Sequence, residues 1–92
     1  MRIKVFVASM FAREFKLNPR FTMEGGTIKD LMTNIEKTAS GFMDSIHDET
    51  GKIRPFVNLF VNGVNIRSRK DALNTPLNDG DSVYIVPSVA GG

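Results

Sequence analysis

Residues 27–35 of this chain read Thr-Ile-Lys-Asp-Leu-Met-Thr-Asn-Ile, and this stretch decides the fold. Its apolar residues follow the spacing i, i+3, i+4, i+7, which places them in one stripe along an α-helix. Thr27 precedes the stripe as an N-cap candidate, and Asp30 follows three residues later, as in a capping box. We predict one principal helix that runs to about Thr38, with Gly41 as the terminator just beyond it. The apolar stripe consists of Ile28, Leu31, Met32 and Ile35.

Two strands are predicted before this helix. In residues 2–7, apolar side chains alternate with others in the period of two that a half-buried strand requires. Residues 20–23 form a shorter second strand, which Gly25 and Gly26 close. A hairpin is the simplest connection between the two strands, although the intervening residues 9–19 are of mixed character.

Further elements follow the helix. Residues 42–46 indicate one more helical turn, and residues 48–54 read as a polar loop. Residues 56–61 are rich in β-branched and aromatic side chains, and Asn62-Gly63 directly after them is typical of a tight turn. The remainder contains a short return strand at Ile66, an irregular crossing through Leu73, Pro76 and Leu77, a turn at Asp79-Gly80-Asp81, and a last strand over residues 82–86 that Pro87 closes.

This order of elements predicts an α+β protein with the β-grasp layout. One helix supplies one apolar stripe, so it packs on a single face of a mixed sheet of four to five strands. The first and last strands pair near the middle of that sheet. We expect one β-grasp domain over residues 1–86 and a flexible C-terminal tail over residues 87–92.

Composition excludes several classes of function. The chain has 92 residues and no cysteine, so disulfides, thiolate metal sites and cysteine nucleophiles are absent, and its single histidine, His47, cannot form a histidine cluster. A net charge of +2 is too small to favour nucleic-acid binding. No window of the sequence has the length of apolar residues that a membrane span needs, and no secretory signal is visible. We expect a cytoplasmic protein with no metal site.

The sequence ends in Gly91-Gly92, directly after the last predicted strand and without a charged run between them. Glycine has no Cβ, so such a pair can pass through a narrow channel and present a carboxylate whose carbonyl carbon is unhindered. The alternative is a frayed chain end without a role. The combination of this terminus with a β-grasp-sized chain favours the functional interpretation.

The residues from Phe56 onward carry a family resemblance, in the segments Val61-Asn62-Gly63, Ile66-Arg67, Leu73, Thr75-Pro76-Leu77, Asp79-Gly80-Asp81, Val83, Ile85, Pro87 and Val89-Ala90-Gly91-Gly92. On these residues, and over essentially its whole length, the chain resembles the ubiquitin-like sulfur carriers, particularly the cysteine-pathway branch of the MoaD-like carriers. This family includes the small subunit of molybdopterin synthase, the thiazole-pathway carrier ThiS, and the carrier of a thiocarboxylate route to cysteine. The charged stretch at residues 68–71 departs from the apolar, glycine-containing segment expected there, which affects the choice of partner.

The resemblance implies a carrier that is acted on by enzymes and is not one itself. A ubiquitin-activating-like enzyme would use ATP to adenylate the Gly92 carboxylate, and sulfur would then displace AMP to leave a thiocarboxylate. Gly91, Ala90 and Val89 would thread into the partner, and no cofactor would be bound tightly. A sulfur-accepting synthase is the second partner; cysteine or homocysteine synthesis is the preferred pathway, with thiazole and molybdopterin as alternatives. A protein modifier joined to lysines through Gly92, and a β-grasp binding module without terminal chemistry, are the alternative functions.

Two surfaces are candidates for the partner interface. Phe6, Phe60 and Tyr84 have the strand phase opposite to the core residues and should share the sheet face away from the helix. This aromatic face would bind a partner, be partly covered by loops, or form a weak dimer of an otherwise monomeric protein. Arg67, Arg69 and Lys70 form a basic cluster that would meet acidic residues of a partner or remain solvated surface.

Two other features favour structural roles. His47 has no candidate partner nearby in the sequence, which predicts a surface or capping position. Asp79 and Asp81 flank Gly80, and this pattern indicates a turn in preference to a metal site.

Overall fold

Five strands form one mixed sheet within residues 1–88, the part of the chain that this computed structural model describes. The strand order is β2-β1-β5-β3-β4, with β1 and β5 parallel and the other neighbours antiparallel. The predicted β-grasp fold, with the first and last strands adjacent in the middle, is therefore confirmed. In chain order the elements are β1 (Arg2–Val7), α1 (Ser9–Glu14), β2 (Arg20–Glu24), α2 (Ile28–Glu36), α3 (Phe42–Ile46), β3 (Val57–Val61), β4 (Val64–Asn65), a 3₁₀ helix (Ala72–Asn74) and β5 (Ser82–Pro87).

The core lies between α2 and one face of the sheet. The predicted stripe of α2 is buried, and it packs with the inward-facing residues of β1, β3 and β5. Burial of one such aliphatic side chain stabilises the fold by roughly 1.5–3 kcal/mol. Thr27 is the N-cap of α2, because its hydroxyl accepts a hydrogen bond from the Asp30 N–H at 3.1 Å. The inward-facing strand residues include Ile3, Val5, Val7, Leu59, Val83 and Ile85.

The hairpin of β1 and β2 contains a helix that the sequence did not predict. α1 occupies the connection, and its residues Phe11 and Ala12 are buried in the core. It has only six residues, which is too short to be stable alone or to show a clear helical period. Tertiary packing of Phe11 and Ala12 explains why this segment is helical.

The junction between α2 and α3 differs from the prediction in detail. α2 ends at Glu36, two residues before the predicted Thr38, and the Thr38 N–H donates to the Ile35 carbonyl in the 3₁₀ pattern, which tightens the last turn. Gly41 is not the terminator of α2, since it occupies the N-cap position of α3 with a φ of 91°. The Glu36 carboxylate accepts hydrogen bonds from the N–H groups of Gly41 (2.8 Å) and Met43 (2.9 Å), which satisfies the start of α3.

The second half of the chain largely follows the prediction. The turn after β3 is confirmed, with positive φ at Asn62 (49°) and Gly63 (84°). The return strand β4 ends just before Ile66, which is buried and donates its N–H to the Leu59 carbonyl. β5 is one residue longer than predicted, because Pro87 still pairs with Val57.

Candidate functional site

The start of the C-terminal segment, at Pro87 and Ser88, is held by pairing with the beginning of β3 and the residue before it. Pro87 pairs with Val57, and the Ser88 N–H donates to the Phe56 carbonyl at 2.7 Å. On the other side of β5, the ladder with β1 ends where the Ala8 N–H donates to the Ile85 carbonyl. The final strand therefore leaves the sheet at a defined position beside Phe56. The predicted tail residues Val89, Ala90, Gly91 and Gly92 lie outside the described residues, so their threading role and the role of Gly92 remain predictions.

The predicted aromatic face is present on the side of the sheet away from α2. The rings of Phe6 and Tyr84 stack with centroids 4.4 Å apart and planes inclined by 12°. Phe60 pairs with Tyr84 in the strand register, so the three residues occupy neighbouring positions on β1, β5 and β3. Tyr84 is 43% exposed, and the two phenylalanines are half-buried. The shared face is confirmed by the structure, whereas its use as an interface remains a prediction.

Arg20 extends this aromatic row by one strand. It pairs with Phe6 across β1 and β2, and its guanidinium carbon lies 5.8 Å from the centre of the Phe6 ring. Such a cation–π contact contributes about 0.5–1 kcal/mol at an exposed site. The period-two pattern alone does not place Arg20 here, because its register depends on the length of the hairpin that contains α1.

The three basic residues of the predicted cluster are not equivalent in the structure. Arg67 is half-buried, and its N–H donates to the Asn65 side-chain oxygen at 3.0 Å, whereas Arg69 and Lys70 are exposed. Arg67 lines a cleft beside β4, and Lys70 lines a different cleft near His47. The structure thus divides the cluster between two surfaces.

The sequence predicts a surface or capping position for His47, and the structure shows the capping position. It is about 9% exposed and occupies the C-cap position of α3, where its backbone N–H donates to the Met43 carbonyl at 3.1 Å. The Nδ1 atom lies 3.0 Å from the Asp48 carbonyl oxygen. A carbonyl only accepts, so Nδ1 is the donor in this contact, and Nε2 has no hydrogen-bond partner within residues 1–88. Of the two predicted alternatives, the capping position is confirmed, and the side chain is buried there.

The acidic residues with lowered pKa values stabilise turns. The Thr50 hydroxyl, followed by the N–H groups of Lys52 and Thr50, holds the pKa of Asp48 below its ordinary value. The Asn78 N–H does the same for the pKa of Asp81, and Asp79 accepts from the Arg2 N–H at 2.8 Å. The predicted turn at residues 79–81 is therefore confirmed. In the described residues, no three His, Cys, Asp or Glu side chains come together as a metal site.

None of the helices within residues 1–88 has the length and apolar character required to cross a membrane.

The strand order, the helix on a single face and the final strand held at the sheet centre define a ubiquitin-like β-grasp protein. A comparison with family models matches residues 10–92 to the ThiS family. The match covers most of the chain, including the segment after β5. The chain therefore belongs to the ThiS family.

Two curated relatives match about three quarters of the chain. The sulfur carrier protein CysO of Mycobacterium tuberculosis is 39% identical over 70 residues, which are 74% of this chain and 74% of the relative. Small archaeal modifier protein 3 of Haloferax volcanii is 32% identical over 69 residues, which are 75% of this chain and 73% of the relative. Both relatives are named as a carrier or a modifier, in agreement with the expectation that the chain is not itself an enzyme.

Solved structures share the fold over nearly the whole chain. The crystal structure of M. tuberculosis CysO has a TM-score of 0.83 at 28% identity and covers 95% of this chain and 99% of that one. The CysO in the Amycolatopsis orientalis BexX/CysO complex has a TM-score of 0.84 at 24% identity, with 98% and 99% covered. The second of these CysO chains was solved with a partner protein bound.

Proposed function

We propose that this protein is a sulfur carrier whose Gly92 carboxylate is adenylated and then converted to a thiocarboxylate. The observation that carries the proposal is the ThiS family match, which extends through residue 92 and so includes the Gly91-Gly92 segment. The fixed strand end at Ser88 supports it, because a tail that leaves the sheet at one position can be presented reproducibly to an enzyme.

The chemistry needs an activating enzyme, because a carboxylate is a poor electrophile. A Gly92 carboxylate oxygen attacks the α-phosphorus of ATP, pyrophosphate leaves, and an acyl-adenylate forms. Sulfide supplied by a donor then attacks the Gly92 carbonyl carbon, the bond to AMP breaks, and a thiocarboxylate remains. The two terminal glycines give clearance for both attacks, since neither has a Cβ.

Partner recognition is proposed to use the aromatic face and the arginines beside β4. Phe6, Phe60 and Tyr84 form a continuous aromatic row, and rings of this kind are enriched in the centres of protein interfaces. Arg67 and Arg69 add positive charge that would speed the encounter with an acidic partner. The Amycolatopsis complex of BexX and CysO supports the idea that such a carrier docks on a partner protein.

Cysteine or homocysteine synthesis is the proposed destination of the sulfur. The support is the identity to a relative named CysO, which is higher than the identity to the archaeal modifier. Because adenylation consumes ATP, the proposal includes a cytoplasmic location.

A protein modifier is the second candidate function. The similarity to small archaeal modifier protein 3 favours it, since that relative is named for attachment to other proteins. Both candidates share the adenylate at Gly92 and differ only in the nucleophile that displaces AMP. Isopeptide-linked adducts in the native cell would favour the modifier over the carrier.

The test is a reconstitution with a purified adenylating enzyme of the ubiquitin-activating class, ATP and a sulfur donor. Intact mass first establishes that the chain ends at Gly92; the reaction should then add about 16 Da, the replacement of oxygen by sulfur. A variant without Gly92 is the matched control and should gain nothing while retaining the fold. A wild-type chain that ends at Gly92 and never forms an adenylate would refute the proposal.

A further inference from the structure

A cleft lies at the β4 edge of the sheet. Its volume is about 530 Å³, and it lies between the segment that leads into β3 and the segment that follows β4. The lining residues are Lys52, Ile53, Pro55, Asn65, Arg67 and Ser68.

The charge in this cleft is positive and unbalanced. Lys52 and Arg67 line it, and no carboxylate within residues 1–88 lies within ion-pair distance of either. The neighbouring Arg54 differs, because it pairs with Asp44 at 3.4 Å and donates to the Asp44 carbonyl at 2.6 Å. An occupant with carboxylates would therefore meet two cations that have no ionic partner in the described part of the chain.

The cleft also has apolar character. Ile53 is only 3% exposed and belongs to the core, so it forms a rigid part of the wall. Pro55 lines the same wall, and the next residue, Phe56, is 50% exposed. An exposed aromatic ring with arginine and lysine nearby has the composition of a binding hot spot, in which an apolar anchor is surrounded by polar contacts.

The position of the cleft links it to the tail and to the aromatic face. The Phe56 carbonyl accepts from the Ser88 N–H, so Phe56 lies where the tail begins. Asn65 lines the cleft, pairs with Phe60 in the strand register and donates to the Asn58 side-chain oxygen at 3.3 Å. The cleft thus adjoins the aromatic face through Asn65, and its lining residue Pro55 directly precedes Phe56, where the tail begins.

The length of the tail limits where its partner can be. Residues 89–92 span at most about 14 Å, at roughly 3.3–3.6 Å for each extended residue. An enzyme that holds Gly92 in its active site must therefore cover the surface around Ser88, which includes Phe56, and the cleft lining begins at the preceding residue, Pro55. This argument rests on the proposed function.

We infer that the cleft and Phe56 together form a docking site for an acidic loop of the activating enzyme. In this interaction, carboxylates of the loop meet Lys52 and Arg67, and the Phe56 ring enters an apolar pocket beside that loop. The cations then select a partner by charge while the tail supplies the reacting carboxylate. Of the charged stretch at residues 68–71, only Ser68 lines this cleft, so the positive charge of the cleft comes from Lys52 and Arg67.

The test measures adenylation kinetics with the purified activating enzyme and the full-length chain as the varied substrate. Arg67→Glu and Phe56→Ala should each raise KM for the chain about tenfold, which corresponds to about 1.4 kcal/mol, with kcat within about twofold of the wild type. Lys29→Glu is the matched control, because it makes the same charge reversal on α2, on the other side of the sheet, and should change KM less than twofold. Melting temperature and amide spectra confirm that each variant is folded.

Several outcomes would overturn the inference. One is an unchanged KM in both Arg67→Glu and Phe56→Ala. Another is a rise in KM for Lys29→Glu as large as that for Arg67→Glu, which would indicate that the enzyme responds to the overall charge of the chain and not to a local site. A fall in KM for Arg67→Glu would indicate that the chain's own tail occupies the cleft. Self-association that Arg67→Glu abolishes would indicate a second copy as the occupant. If the wild type is adenylated and loaded while one of these outcomes is found, only this inference fails; if the wild type is never adenylated, the proposed function fails as well.

Discussion

On β3, Leu59 faces α2 and is fully buried, whereas the next residue, Phe60, faces away and is half exposed. The same alternation holds on β5, where Ile85 is buried and Tyr84 is 43% exposed. The inner face is covered by α2 together with α1 and α3 and determines stability, while the outer face has no covering layer in the described residues and is available for recognition. Consecutive side chains of a strand point to opposite faces, so the same strands place stabilising residues on the inner face and residues available for recognition on the outer face.

The largest expected effect comes from removing a side chain of the inner face. Leu59→Ala should lower the free energy of unfolding by about 2–5 kcal/mol, because it leaves a cavity against α2 that the surrounding core cannot fill. Phe60→Ala on the same strand is the matched outer-face variant and should lower it by about 1 kcal/mol or less. Chemical denaturation measures both; equal losses would contradict the division between the two faces.

The next effect concerns the distance between α2 and the sheet. A Cβ on Gly25 would lie 3.0 Å from the backbone N and Cα of Leu31, which cannot move without displacing the helix. Gly25→Ala should therefore lower the free energy of unfolding by about 1–3 kcal/mol. Gly26→Ala is the control, since its Cβ would meet only Asp30 Oδ2 at 3.6 Å and its effect should stay within about 0.5 kcal/mol. If both variants unfold at the same denaturant concentration, the close packing of α2 does not stabilise the inner face.

On the outer face, the stacked pair of Phe6 and Tyr84 should contribute a smaller amount. A double-mutant cycle with Phe6→Ala and Tyr84→Ala should give a coupling of about 0.5–1.5 kcal/mol, the range for aromatic pairs. If this face binds the enzyme, the same variants should also reduce adenylation by a larger factor than the loss of folded protein explains. Zero coupling in denaturation experiments would mean that the two rings do not depend on each other.

The smallest effect is a pH dependence at the junction of α2 and α3. The Gly41 and Met43 N–H groups hold the pKa of Glu36 below its ordinary value of 4.5. A lowered pKa in the folded state means that this stabilisation is present above pH 4.5 and is lost as the pH falls through the lowered value. Glu36→Gln should therefore be less stable than the wild type at pH 7, with a difference that shrinks in acid. Glu14→Gln, whose side chain makes no hydrogen bond or ion pair in the described residues, should show no such change; a constant difference for Glu36→Gln would exclude the ionic cap.

Much of the inner face could be predicted from the sequence, because burial imposes a period. The stripe of α2, the alternation of Ile3, Val5 and Val7, and the turn at Asn62-Gly63 all appear in the structure as expected. α1 could not be predicted, since six residues held by the packing of Phe11 show no resolved period. The burial of His47 was also not predictable, because it depends on the return of residues 48–54 against the end of α3, where His47 bridges to Ile53.

The outer face was predictable in part. The strand phase places Phe6, Phe60 and Tyr84 together, but Arg20 joins them only through the register of the β1–β2 hairpin. The cleft at Arg67 combines residues before β3 with residues in and after β4, so no local sequence pattern predicts it. The composition of residues 68–71 indicated an unusual surface without showing which side chains would face each other.

The central claim is that sulfur is carried on the main-chain carboxylate of Gly92. The most direct measurement is the intact mass of the untagged chain from its native cell, with fragmentation to locate any change. The account predicts a population that is heavier by about 16 Da, with the added mass confined to the Gly92 carboxyl group. A terminus that is always an unmodified carboxylate, even after incubation with the activating enzyme, ATP and a sulfur donor, would contradict it.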